Sequence, residues 1–320
     1  MHEFQSQLGK YIQEFLEYRC VQGYNEKSYI GTLRNIDKFY VEYYPEENTL
    51  TQPIVHEWLG INSGCSLSHM VRKASIARML GKYIMDQGMN AYILPDKFIS
   101  NRRKDSAYIF SDSELSRLFK EIDQIHIKGN PFASCQMPVL FRLIYTCGLR
   151  PREGRILEWH NINVNTGEIL ITHTKRNKER IVVMSDEMLS LYKQYNNHRQ
   201  NVYPDSIYAF PNPNGDAYSN ECLRKHFNLC WKKANLNISP DKLPRVRVYD
   251  LRHRFASATL NRWLDEKRNL GVMLPYLQAY MGHDVLSSTA KYIHLLPENL
   301  VKSSGIDWES MQSLIPEVMS

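Results

Sequence analysis

Hydrophobic positions in the first hundred residues recur at helical spacing. Leu8, Ile12 and Phe15 mark one apolar stripe, flanked by Tyr11 and Leu16. Tyr29, Leu33, Ile36 and Phe39 repeat it after a polar start at Asn25, and a third segment follows Pro53. A fourth runs through Leu67, Met70, Ala74, Ala77, Leu80 and Ile84, with Arg72, Lys73, Arg78 and Lys82 expected on its other faces. No strand signal interrupts this region. It predicts a small helical bundle over residues 1–100, with Phe15, Phe39 and Tyr40 in its core.

The periodicity breaks between Asp96 and Ser106, where Arg102, Arg103 and Lys104 stand in a row. Residues 101–107 read as a basic linker, lying along a phosphate backbone or simply solvated. A larger unit spans 108–296. Ser111, with Glu114 three residues on, marks a capped helix start, and another helix runs from about Pro138 to Thr146. The period then changes. Ile169–Thr172 and Ile181–Val183 flank a polar, basic turn, which predicts a β-hairpin, and helical patterns return from Glu187. The expected fold is mainly α with a small antiparallel β-sheet: an N-terminal helical bundle followed by a mixed α/β domain. Trp159 is expected in the core. Residues 297–320 carry Trp308, Met311, Leu314 and Ile315 at helical spacing and predict a tail helix.

Composition narrows the class. The 320 residues suffice for two ordinary domains, and 43% hydrophobic with 23% charged residues describes a globular chain. The N-terminus has neither the basic nor the apolar region of a signal peptide, and no run approaches the ~20 apolar residues of a membrane span. A cytoplasmic protein is expected, with no membrane partner. Six cysteines, at 20, 65, 135, 147, 222 and 230, form no C-x-x-C pair. They read as buried, reduced thiols, and no metal or other cofactor is expected. The net charge of +6 permits nucleic-acid binding without requiring it, but its distribution is more telling. Between 221 and 254 nine Lys or Arg stand against three acids, with aromatics and His interleaved, as on a face that tracks a polyphosphate.

Transfer of a DNA strand without metal or nucleotide needs three kinds of group. It needs a nucleophile that can hold a phosphate ester, cations around the charge of the phosphorane, and an acid for the leaving 5′-oxygen. Guanidinium suits the second task because it stays protonated and grips two oxygens. The chain carries such parts in separate islands. TCGLRPREG (146–154) holds Arg150 and Glu153, and TKRNKERIVVMS (174–185) holds Lys175. YDLRHRFASATL (249–260) holds Arg252, and YMGHDVLSSTAKYIH (280–294) holds His283 and, nine residues later, Tyr292.

Together these islands resemble the tyrosine recombinase (phage integrase) family, most closely its simple two-domain Xer-type and mobile-element integrases. The family's G-L-R-x-x-E box falls on Arg150, the lysine of its G-K-G-N-K-E-R-like hairpin on Lys175, and the end of its H-x-x-R box on Arg252. Its L-G-H and T-x-x-Y-x-H elements fall on His283 and Tyr292. The resemblance covers 138–296 well. The N-terminal region matches the family's core-binding domain in position and character only, and no room is expected for a further arm-binding domain before it.

The resemblance implies that Tyr292 attacks a scissile phosphate to form a 3′-phosphotyrosine, with Arg150 and Arg252 clamping the phosphate. His283 would bond the phosphate or assist the tyrosine. Lys175 would be the general acid on a hairpin that enters the minor groove, Lys178 being its near rival. Glu153 would orient Arg150 or a neighbouring helix, His253 would be structural or support a residue that touches the phosphate, and His294 would pack near the nucleophile helix without a chemical role. The partners implied are double-stranded DNA with a specific site, further copies of the chain in a tetramer on two sites, and accessory recombination proteins. The tail would pack on a neighbouring protomer or on its own domain. Arg72, Lys73, Arg102, Arg103, Lys104 and Lys178 are candidate DNA contacts.

One departure matters: the first position of H-x-x-R is Tyr249. A phenol donates a hydrogen bond, but its pKa near about 10 makes it a poor proton shuttle. Tyr249 is therefore expected to bond the phosphate while Lys175 carries the acid role. A weakened DNA-binding relative of the same fold, a type IB topoisomerase and a chromosome-dimer resolvase stand as alternatives to a mobile-element integrase, which the departures at Tyr249 and in WHNIN (159–163) favour.

Overall fold

The computed structural model describes residues 4–60, 67–96, 98, 107–172 and 178–292. Lys175, Arg102, Arg103, Lys104, His294 and the 297–320 tail lie outside the described residues. The chain divides into two compact units, residues 1–105 and 106–320.

The first unit consists of α1 (Gly9–Val21), α2 (Ile30–Tyr43), α3 (Gln52–Gly60) and α4 (Leu67–Asp86). Their apolar stripes meet in one core that includes Leu8, Ile12, Phe15, Leu33, Ile36, Trp58, Leu80 and Ile84. Phe39 and Tyr40 are buried with them. Asp37 fastens the N-terminal segment by accepting the Gln5 and Ser6 backbone N–H groups, each at 3.0 Å. Lys73 corrects the reading of α4: it is 1% exposed, not on an outer face. Its ammonium donates to the Trp58 carbonyl at 2.9 Å and lies 4.0 Å from the centroid of the Trp58 ring. A phosphate could not reach it there. Arg72, on the same helix, is exposed and donates to the Ser28 carbonyl at 2.7 Å.

The second unit is built round α6 (Ala133–Thr146), which packs against α5 (Asp112–Asp123), α8 (Asp186–Val202) and α10 (Val248–Asp265). Met137, Leu140, Phe141, Leu143 and Ile144 of α6 are fully buried. α6 begins five residues before the expected Pro138, which is held inside the helix by the packing around it. α5 opens with the expected capping box, Ser111 and Glu114 each accepting the other's backbone N–H. The sheet is the expected hairpin, β1 (Glu168–Ile171) antiparallel to β2 (Arg180–Val183), with Ile171 opposite Arg180. Ile169, Ile171 and Val182 are buried, whereas Ile181 and Val183 point outward.

Two further expectations need correction. Trp159 is 42% exposed rather than core, its ring faced by the Arg199 guanidinium at 5.5 Å. Arg199 is held there by the carbonyls of Ser206 and Tyr208. The cysteines are not uniformly buried: Cys147 and Cys230 are, but Cys20 and Cys135 are exposed. All five described thiols are free. Among the described residues no helix is long and apolar enough to cross a membrane.

Candidate active site

Three elements bring the sequence islands together. The first follows α6. Gly148 turns the chain with φ +61°, where a Cβ would lie 2.5 Å from the Phe255 ring, so only glycine fits. Arg150 then opens the short helix α7 (Pro151–Arg155). Gly154 lets α7 lie close on α6, because a Cβ there would meet Ile144 at 2.9 Å. The second element is the start of α10, whose first turns carry Tyr249, Asp250, Arg252 and His253. The third is the end of α11 (Leu270–Met281), where Gly282 takes the left-handed conformation, φ 63°. His283 follows, then α12 (Ser287–Ala290) and Tyr292.

Glu153 is the hub of the cluster and is 4% exposed. Its Oε1 accepts from Arg150 Nη1 at 2.7 Å and from Arg180 Nη1 at 3.0 Å. Its Oε2 accepts from Arg180 Nη2 at 2.8 Å and from the Arg150 backbone N–H at 2.8 Å. Arg252 Nη1 stands 3.9 Å from Oε2. Burial works against the ionised carboxylate, but the hydrogen bonds and charge of Arg180, joined by Arg150, pull its pKa down to about 2.

The remaining donors of these arginines tie the islands to one another. Arg150 Nη2 donates to the Gly282 carbonyl at 2.5 Å and Arg180 Nε to the Tyr280 carbonyl at 2.7 Å. Arg252 is 0% exposed. It donates to the Gly148 carbonyl at 2.6 Å and to the Met281 carbonyl, while its Nε has no partner among the described residues. Burial lowers its pKa to about 10, which still leaves it charged at neutral pH. Three guanidinium groups thus converge on a single carboxylate. The net positive charge held in low dielectric suits an entering anion.

Tyr292 lies beside this charge, 4% exposed, in a core patch with Ala256, Leu260, Leu277 and Met281. Its ring is nearly parallel to that of His283, with centroids 6.2 Å apart. Its hydroxyl is 3.0 Å from His253 Nδ1. Burial pushes the phenol up to about 12 against the opposing pull of Arg252 and Arg150. His283 Nδ1 is 2.8 Å from the Thr289 hydroxyl. Burial lowers His283 to about 3, helped by Arg252, Arg150 and Arg180. It also lowers His253 to about 4, Asp250 opposing and Arg247 and Arg252 assisting. Both imidazoles are therefore neutral at pH 7. Tyr249, half-buried, sets its ring edge-on to His253 at 4.9 Å.

The structure thus brings together Arg150, Arg252, His283, Tyr292 and Tyr249. Lys178 lies on the turn side of the hairpin, two residues before β2, with its ammonium 3.6 Å from Asp284. Arg72 and Lys73 belong to the other unit. Sequence reasoning missed Arg180 and Thr289 and gave His253 no more than a structural or supporting role. The signal for Arg180 was present: on a strand, residue 180 shares the face of Val182, so a cation there needs a buried partner. Among the described residues no cluster of acidic, His or Cys side chains could hold a metal ion.

The sequence pattern of the phage integrase family matches residues 109–299. The chain belongs to this family, the tyrosine recombinases, whose members are site-specific DNA recombinases. Among its relatives is the protein named "Putative integrase/recombinase y4rE" of Sinorhizobium fredii, 26% identical over 92% of this chain and 93% of that protein. Tyrosine recombinase XerD of Rhizobium meliloti is 24% identical over 74% of this chain and 73% of its own. The fold matches the XerH site-specific recombinase bound to a palindromic difH substrate, with TM-score 0.68 and 19% identity over 93% of this chain and 96% of that one. It also matches the Tn1549 transposon integrase bound to transposon right-end DNA, with TM-score 0.64 and 14% identity over 95% and 99% of the two chains.

Proposed function

We propose that this recombinase cleaves and rejoins double-stranded DNA at a specific site through a 3′-phosphotyrosine on Tyr292. The observation that carries the reading is the burial of the Tyr292 hydroxyl beside an over-cationic cluster, with Arg252 the chief charge favouring its phenolate. Arg150, 29% exposed at its side chain, grips the scissile phosphate from the open side, and Arg252 backs it. His283 bonds a phosphate oxygen. Tyr249 donates a further hydrogen bond, and Lys175 protonates the leaving 5′-hydroxyl. The partner strand's 5′-hydroxyl then reverses the step, so bond energy stays in the ester and no ATP or metal is required.

Residues 1–100 act as a DNA-clamping domain, joined by the basic 101–107 segment to the catalytic domain, 108–296. Arg72, Arg102, Arg103, Lys104 and Lys178 are phosphate contacts spread over both domains and the segment between them. A tetramer on two DNA sites, with the 297–320 tail exchanged between protomers, follows from the family resemblance, as do accessory recombination proteins and a cytoplasmic, prokaryotic setting. A mobile element is the favoured context. Relatives named as recombinases of both Xer and transposon type leave chromosome-dimer resolution as the second reading.

The test begins by selecting a binding site from a pool of randomised duplexes with the full chain. A suicide duplex, nicked near the cleavage position of that site, should trap a covalent protein–DNA adduct whose labelled peptide contains Tyr292. Tyr292→Phe should form none while binding the duplex as before. An adduct that survives Tyr292→Phe would overturn the reading.

A further inference from the structure

The nucleophile's proton must go somewhere when the Tyr292–phosphorus bond forms, and the usual imidazole position, 249, holds a phenol. A neutral phenol is a very weak base and takes up a proton poorly. His283 Nδ1 is engaged elsewhere, by the Thr289 hydroxyl at 2.8 Å. One described imidazole nitrogen does meet the phenol. His253 Nδ1 is 3.0 Å from Tyr292 Oη, inside the ~2.6–3.2 Å reach of a working base.

The far side of the ring is also provided for. Asp250, 1% exposed, stands 3.9 Å from His253 Nε2. Its carboxylate is fixed by the Arg247 backbone N–H at 2.7 Å and by the Arg247 guanidinium at 3.0 Å. A carboxylate on that side favours the tautomer with its hydrogen on Nε2, leaving the Nδ1 lone pair facing the phenol. Tyr249 closes the ring's flank edge-on, at 4.9 Å.

We propose that His253, the residue after the box arginine, is the general base for Tyr292. The proposal rests on the reading of Tyr292 as nucleophile. In the forward step the Tyr292 proton passes to His253 Nδ1 as the Oη–P bond forms and the P–O5′ bond breaks. The 5′-oxygen takes its proton from a separate acid. In rejoining, the His253 imidazolium returns its proton to the departing Tyr292 oxygen, and Asp250 steadies the imidazolium meanwhile. Burial keeps His253 neutral at pH 7 but also weakens it as a base, with Arg247 and Arg252 adding to the depression. A phosphate entering beside Arg252 offsets that cation, which strengthens the base when substrate is bound.

The chemistry separates base from acid. A DNA whose 5′-bridging oxygen is replaced by sulfur leaves without a proton, so it relieves the loss of an acid but not of a base. His253→Asn keeps an amide near the Nδ1 position that can hydrogen-bond to Tyr292 but cannot accept its proton; His253→Ala removes both. With the selected suicide duplex, both variants should bind DNA normally and form adduct about 10²–10⁴-fold more slowly, with no recovery on the sulfur-bridged duplex. Cleavage at the wild-type rate by either variant, with the adduct still on Tyr292, would overturn the proposal and leave the Tyr292 reading intact. Full recovery on the sulfur-bridged duplex would overturn it too, placing His253 at the leaving group. An adduct on another residue would remove both readings together.

Discussion

Lys73 and Arg252, one in each unit of the molecule, are both buried, and the two burials are of different kinds. Lys73 in α4 is 1% exposed and is satisfied within its own bundle by the Trp58 carbonyl and ring. Arg252 in α10 is 0% exposed, yet its neighbourhood collects Arg150 and Arg180 as well, with Glu153 as the shared carboxylate. The first arrangement is complete as it stands. The second holds more cationic charge than its carboxylate offsets, and excess charge in low dielectric is destabilising unless an anion arrives. Burial alone therefore does not separate a structural cation from a functional one; the local balance of charge does.

The sharpest way to break the contrast is to remove the one carboxylate. Glu153→Ala leaves three guanidinium groups converging on an empty place, and should lower the unfolding free energy of its unit by about 3–5 kcal/mol in urea. A loss below about 1 kcal/mol would mean that the cluster is not held by this ion network. The same carboxylate makes a pH prediction. Its folded pKa of about 2 lies below the unfolded value near about 4.3, so its contribution is full above that unfolded value. The contribution should decline as pH falls toward 2, and Glu153→Gln should flatten that limb of the stability curve. Next in size, Arg180→Met should slow adduct formation about 100-fold with DNA affinity kept, since it displaces Arg150 and Glu153 without touching DNA itself. A wild-type cleavage rate in that variant would confine Arg180 to stability.

Much of this was legible locally. The Ser111–Glu114 cap and the hairpin are signals spanning a few residues, and the structure follows both. The boxes fixed which arginines, histidine and tyrosine to look for, because each box is itself short. The partnerships were not legible. Arg180 reaches Glu153 across 27 residues and His253 reaches Tyr292 across 39, separations over which periodicity carries no information. Lys73 and Trp159 were misplaced for a related reason. A cation was assumed to face water and an indole to avoid it, but a backbone carbonyl satisfied the first and the Arg199 guanidinium covered the second.

Gly282→Ala probes the same network through the backbone. Position 282 has φ +63°, and a Cβ there would stand 3.2 Å from Arg180 Nη1. The left-handed conformation alone should destabilise by roughly 1–2 kcal/mol, read as a lowered melting temperature. Arg180→Met should relieve the contact but not the backbone strain, so the double variant should keep most of that loss. Full recovery in the double variant would locate the penalty in the side-chain contact instead.

The smallest effect is expected in the other unit, and it tests the complete cation. Lys73→Met keeps length and burial while removing the ammonium, and should change stability by less than about 1.5 kcal/mol. It should leave the salt dependence of DNA binding as it was, because an ammonium tied to the Trp58 carbonyl neutralises no phosphate. Arg72→Met, on the exposed face of the same helix, is the paired measurement. If Arg72 contacts a phosphate, the slope of log affinity against log salt should become shallower by about 0.9. A slope change at Lys73 of the same size as at Arg72 would show that α4 opens on DNA, and the distinction between the two burials would then rest on Arg252 alone.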